Sequence, residues 1–152
     1  MERPKAHACK GVELMTYFAW DPGLETGFAD IDDQHKGLFA LANALQEAID
    51  TASGDEDAVA NAVYGLTDYC VEHFSDEEAL MRSVGYPGLV PHRSLHEQLT
   101  AETMRITVRY FNEESVVPDT LAPLITTWLT DHIRRQDMAL VAFIRAQEPL
   151  GD

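Results

Sequence analysis

The chain has 152 residues, and its 26 acidic side chains outnumber 11 basic ones to leave a formal net charge of −15. That length suits one domain with a single core, and that charge argues against nucleic acid and anionic membrane surfaces as partners. Cys9 and Cys70 form no CxxC pattern, no stretch approaches the ~20 apolar residues of a membrane span, and no signal-peptide core is present, so a soluble cytoplasmic protein with reduced thiols is expected.

Residues 1–19 show no sustained period and read as an N-terminal arm, in which His7 is a plain exposed histidine. Pro22, Gly23 and Gly27 keep the following stretch irregular. From about Asp30 a helical period appears, with His35, Leu38, Ala42, Leu45 and Ile49 stepping by three and four. Gly54, within 51–55, ends that helix. The second is the most regular: Val63, Leu66, Cys70, His73, Glu77, Leu80 and Val84 form its seam, and Gly85-Tyr86-Pro87-Gly88 stops it. Pro91 suits a first helical position, and a third helix turns His92, His96, Leu99, Thr103, Ile106 and Tyr110 inward.

Residues 112–118 break the chain again. A fourth helix runs from about Asp119 to Ala146, with Leu121, Leu124, Ile125, Trp128, Leu129 and His132 on its buried side. No strand pattern competes. The expectation is an all-α, up-down-up-down four-helix bundle over 20–147, with the arm before it and a short tail at 148–152.

Five histidines and Glu77 interrupt these apolar seams, and Asp137 follows His132 in the fourth helix. They read His35, His73-x-x-x-Glu77, His92-x-x-x-His96 and His132-x-x-x-x-Asp137. Residues four apart share a helix face, so each pair can aim two ligands at one point. In an alternating bundle, the start of helix one, the end of helix two, the start of helix three and the later part of helix four lie at one end. Sequence order alone thus gathers all seven groups at one level. Buried without a metal, each would cost several kcal/mol unless paired.

Imidazole mixed with carboxylate suits iron, zinc or manganese, and seven ligands exceed the need of one ion. Five imidazoles, two bridging carboxylates (Glu77 and Asp137) and a bridging oxide or hydroxide leave one of the roughly twelve positions of two six-coordinate ions open. One vacancy suits a small diatomic ligand. Leu38, Phe74, Trp128 and Leu129 are core residues close enough in sequence to the ligands to line a dry pocket, and Cys70 reads as a small buried hydrophobe.

The spacing from His132 to Asp137 does not fit a regular helix. Five residues turn about 140° away from one face at 3.6 residues per turn, so a π-bulge or bend near Arg134–Gln136 is expected to bring Asp137 round.

The complete ligand order, together with Trp20-Asp21, Gly27, Ile31-Asp32 and Gln34-His35, resembles the hemerythrins, most closely the single-domain bacterial ones, over about residues 20–146. That resemblance implies two iron ions, cycling between Fe2+ and Fe3+ around a bridging oxide or hydroxide, that bind O2 reversibly for storage, transport or sensing. By the same resemblance His92, His96 and His132 hold one iron, His35 and His73 hold the other, and Glu77 with Asp137 bridges them. O2 sits end-on at the two-histidine iron as a hydroperoxide, and Leu38, Phe74, Trp128 and Leu129 fall at pocket positions.

The competing reading is a di-iron oxidase or peroxidase that consumes O2, peroxide or NO. Ferritin-like di-iron enzymes use Glu-x-x-His repeats with more carboxylates. No histidine here has a glutamate three residues before it, which favours a binding protein over an enzyme. With no second output domain expected in these 152 residues, a sensing role would need another protein, and the sequence names no recipient.

Overall fold

A computed structural model of the chain describes residues 17–51, 56–112 and 121–147. The expected arm before Tyr17, with His7 and Cys9, lies outside the described residues, as do the two breaks near 52–55 and 113–120 and the tail at 148–152. A 3-10 turn at Pro22–Leu24 precedes α1 (Ala29–Thr51), α2 (Glu56–Ser83), α3 (Leu89–Phe111) and α4 (Leu121–His132). A five-residue π turn, Ile133–Asp137, joins α4 to α5 (Met138–Gln147), which completes the fourth rod. Among the described residues there is no strand, and no helix is long and apolar enough to cross a membrane.

Helix α1 packs on α2 and α4, α2 on α3, and α3 on α4, which closes a four-rod bundle. Leu38, Phe39, Ala42 and Leu45 of α1 meet Val59, Val63, Leu66, Cys70 and Phe74 of α2 in one core. Leu99 and Ile106 of α3 and Ala122, Ile125 and Leu129 of α4 complete it. Tyr110 and Leu121, expected to face inward, have side chains outside the described set.

Two details of the expected seams are corrected. The buried residue after Glu77 is Met81, fully covered, while Leu80 and Val84 are only half-buried. The inward stripe advances by four there, as it does from His73 to Glu77, because 3.6 residues per turn allows a step of three or four. Gly85 takes a left-handed φ of 66°, Gly85 N–H donates to Arg82 O at 3.3 Å and Tyr86 N–H to Met81 O at 2.9 Å. This paired C-terminal closure needs glycine at the left-handed residue. Pro91 is the third residue of α3, not the first. It costs nothing there, because the first in-helix bond is made by the next residue, His92 N–H to Gly88 O at 3.0 Å.

The start of α1 is fixed by a buried carboxylate. Asp32 accepts from Thr26 N–H at 2.7 Å, from the Thr26 hydroxyl at 2.8 Å and from Gly27 N–H at 3.0 Å. Burial works to raise its pKa, but those three donors outweigh it and hold the carboxyl below the usual range. Arg145 of α5 donates to Thr26 O at 2.9 Å, so the loop also ties the last helix to the first. Asp32→Ala strands three donors and is expected to cost about 2 kcal/mol, read as a lower urea midpoint. Asp32→Asn keeps one acceptor oxygen and should recover part of that loss.

Candidate metal centre

The bundle brings all seven expected ligand residues to one level, and each is at most 4 % exposed. His92 and His96 sit one turn apart on α3, with ring centroids 4.7 Å apart. His132, at the end of α4, points its Nε2 between them, 2.7 Å from His92 Nε2 and 3.0 Å from His96 Nε2. Glu77 Oε2, from α2, lies 3.4 Å from His92 Nε2 and 3.3 Å from His96 Nε2. On the other side, the ring of His35 from α1 lies 4.7 Å from that of His73 from α2.

Asp137 spans the two groups. Its Oδ1 lies 3.1 Å from His132 Nε2 and 3.3 Å from His92 Nε2, while its Oδ2 lies 3.2 Å from His35 Nε2. The π turn makes this reach: Met138 N–H donates to Ile133 O, five residues back. The turn absorbs one additional residue and returns Asp137 to the face of His132, as its spacing predicts.

Two sets of donor atoms each fall within 4.8 Å of one another: Glu77, His92, His96 and His132 in one, and His35, Glu77 and Asp137 in the other. Glu77 belongs to both. His73 stands outside the second set by that measure, yet its ring edges that of His35 and its buried Nε2 has no hydrogen-bond partner.

The donor chemistry fits metal ions. Three imidazole nitrogens converge at 2.7–3.0 Å, close enough for one cation to bind all of them. Neighbouring ligands each ~2.1 Å from one ion lie about 3 Å apart, which is the spacing seen. Both oxygens of Glu77, both of Asp137 and both ring nitrogens of His35 are buried without an aligned hydrogen bond. Their approaches to one another are close but poorly directed, and so many stranded groups are costly in a protein interior.

The outer ring nitrogens of two histidines have side-chain partners. His73 Nδ1 meets Gln34 Oε1 at 2.9 Å, and Gln34 Nε2 donates to Asp76 Oδ2 at 2.8 Å. Because the amide's N–H points at Asp76, its oxygen faces His73 and fixes the proton on Nδ1, leaving Nε2 as a lone pair. His96 Nδ1 lies 3.2 Å from Glu78 Oε1. Phe74 stacks on His96 at 4.0 Å and Trp128 on His132 at 4.2 Å. Leu38 and Leu129 are buried in the same core. Trp20 lies over His35 at 6.5 Å and edges Phe39 at 5.4 Å. Gln34, Glu78 and Trp20 had no signal within one helix, because each partner lies on another element.

Without metal, the electrostatics pull apart. Burial drives the His73 pKa down to about 4, with Glu77 opposing. Burial also opposes protonation of His92, but Asp137 and Glu77 prevail and raise it to about 9. Burial lowers His132 despite Asp137. Both carboxylates sit below their usual range, because the surrounding imidazoles outweigh burial.

A stability profile follows for the chelated protein. His73 stays neutral when folded down to about pH 4, whereas unfolded it binds a proton near 6.5. Its stabilisation is therefore complete above pH 6.5 and drains as pH falls toward 4, by up to about 3 kcal/mol. His92 works the other way, losing its contribution as pH rises through about 9. Urea midpoints measured from pH 4.5 to 9.5 should peak near neutrality. A midpoint that climbs on acidification would contradict this.

Comparison with known proteins agrees with the geometry. The model of the hemerythrin HHE cation binding domain matches residues 26–144. A bacteriohemerythrin of Pseudomonas paraeruginosa is 34% identical over 131 residues, covering 86% of this chain and 84% of that protein. One of Methylococcus capsulatus is 32% identical over 124 residues, covering 82% and 92%. A crystal structure of wild-type hemerythrin superposes with a TM-score of 0.76 at 26% identity, covering 84% of this chain and 98% of that one.

Proposed function

The chain belongs to the hemerythrin family, and on that footing we propose that it holds two iron ions and binds O2 reversibly, for storage, transport or sensing in the cytoplasm. The observation that carries this is the pair of convergent donor sets sharing Glu77, with Asp137 reaching both groups of histidines. His92, His96 and His132 would hold one ion, and His35 with His73 the other. Glu77 and Asp137 would lie between them. Bound there, a pair of ferrous ions would supply reducing electrons and an open coordination position for O2.

The chain's residues do the rest. Gln34 and Glu78 hold the outer nitrogens of His73 and His96, which keeps the inner nitrogens available as ligands. Phe74 and Trp128 stack on His96 and His132 and restrict their rotation. Leu38, Phe74, Trp128 and Leu129 would line the pocket and keep water from the ligand, which protects it from irreversible loss. Two carboxylates against five imidazoles leave the centre less anionic than the carboxylate-rich oxidases, which favours binding over turnover.

An oxygen electrode separates the readings. O2 taken up in fixed proportion to the iron pair, and recovered when its pressure is lowered, is the expected result. Continuous consumption of O2 with peroxide or water as product would overturn it in favour of an oxidase.

A further inference from the structure

A cleft of about 390 Å³ opens between the start of α1 and the second half of α2. Its lining includes Phe28, Ile31 and Leu80, with Asp30, Asp76 and Glu77 as the charged members. No lysine or arginine lines it. Asp30 and Asp76 are exposed, whereas Glu77 is 1 % exposed and neither of its oxygens has a hydrogen-bond partner. One carboxylate thus touches both the cleft and the donor cluster, since its Oε2 lies 3.4 Å from His92 Nε2 and 3.3 Å from His96 Nε2. Two other surface grooves, one lined by Tyr64, Met104 and Phe111 and one by Phe18, Phe39 and Thr130, reach no ligand residue.

We propose that this cleft is the loading route of the metal centre: Asp30 and Asp76 gather a hydrated divalent cation at the mouth, and Glu77 at the floor takes it as the first inner ligand. The proposal rests on the di-iron reading above. The two aspartates have local duties, Asp30 in the first turn of α1 and Asp76 as acceptor for Gln34. Neither duty cancels its charge, so both add to an attractive field at an apolar-walled opening. At the floor, a Glu77 oxygen replaces one water of the ion. The neighbouring imidazole nitrogens can then replace others, any protonated ring releasing its proton to water as the ion binds, and no redox step is required.

The test is stopped-flow uptake of Fe2+ by the metal-free chain under argon, recording both rate and final stoichiometry. Asp30→Asn with Asp76→Asn keeps the Gln34 acceptor and removes two charges. It should slow loading about tenfold at low ionic strength, with the gap closing in high salt and the final iron content unchanged. Ala29→Lys, which places bulk and positive charge in the mouth, should slow it further. Glu56→Gln with Asp57→Asn, the same charge change at the opposite end of α2, should leave the rate near that of the parent. Equal slowing by the two pairs, or by neither, overturns the loading route while leaving the centre intact. A final content well below two ions in the parent chain overturns the di-iron reading and the route with it.

Discussion

Glu77→Ala is expected to lose both iron ions from the isolated protein. Glu77 is the one residue common to the two donor sets, so its removal takes a ligand from each ion at once. Losing an outer partner of a metal-bound histidine typically costs 10–100-fold in affinity, and a shared inner carboxylate should cost more than ~100-fold. Glu78→Gln supplies the contrast. It alters the partner of His96 Nδ1 and a 3.7 Å ion pair with Arg82 but no inner ligand, so the ions should remain while their release to a competing chelator quickens by roughly 10-fold. Iron analysis after gel filtration and a chelator competition read both effects. Two ions retained in Glu77→Ala would remove that residue from the centre.

Stripping both iron ions from the parent chain should lower Tm by about 15–30 °C. Each ion bound at ~1,000 times its dissociation constant adds about 4 kcal/mol to the folded state, and for a chain of this size 1 kcal/mol moves Tm by roughly 2–4 °C. The metal-free interior explains why the loss is felt. Glu77 and Asp137 stay charged and buried with no aligned donors, around imidazoles whose pKa values burial and charge push in opposite directions. Calorimetry before and after chelation checks this, and readdition of Fe2+ should restore the original transition. An unchanged Tm would mean that these groups are satisfied without metal.

The seams that carry the ligands are legible because helical spacing is local. His73 to Glu77 and His92 to His96 follow from one turn each, and alternation of helix direction brings the four segments together. The π turn is legible for the same reason: five residues between His132 and Asp137 cannot share a regular α-helical face. What the sequence does not show is contact between elements. Gln34 meets His73 across the α1–α2 interface, 39 positions apart, and Glu78 meets His96 across α2–α3.

Asp32 reads as a first-turn acid, a favourable place for negative charge. Its burial under Thr26 and Gly27 depends on how the preceding loop folds back. Met81 takes the place of Leu80 in the seam, because helical period allows a step of three or four after Glu77 and both residues are apolar.

The measurement that bears most directly on the central claim is the visible spectrum of the iron-loaded protein, recorded under argon, then in air, then under argon again. The expected result is about two iron ions per chain, no visible band at first, a charge-transfer band that grows in air, and its loss when argon returns over several cycles. A band that never reverses, or iron that binds without any band, would contradict reversible O2 binding at this site.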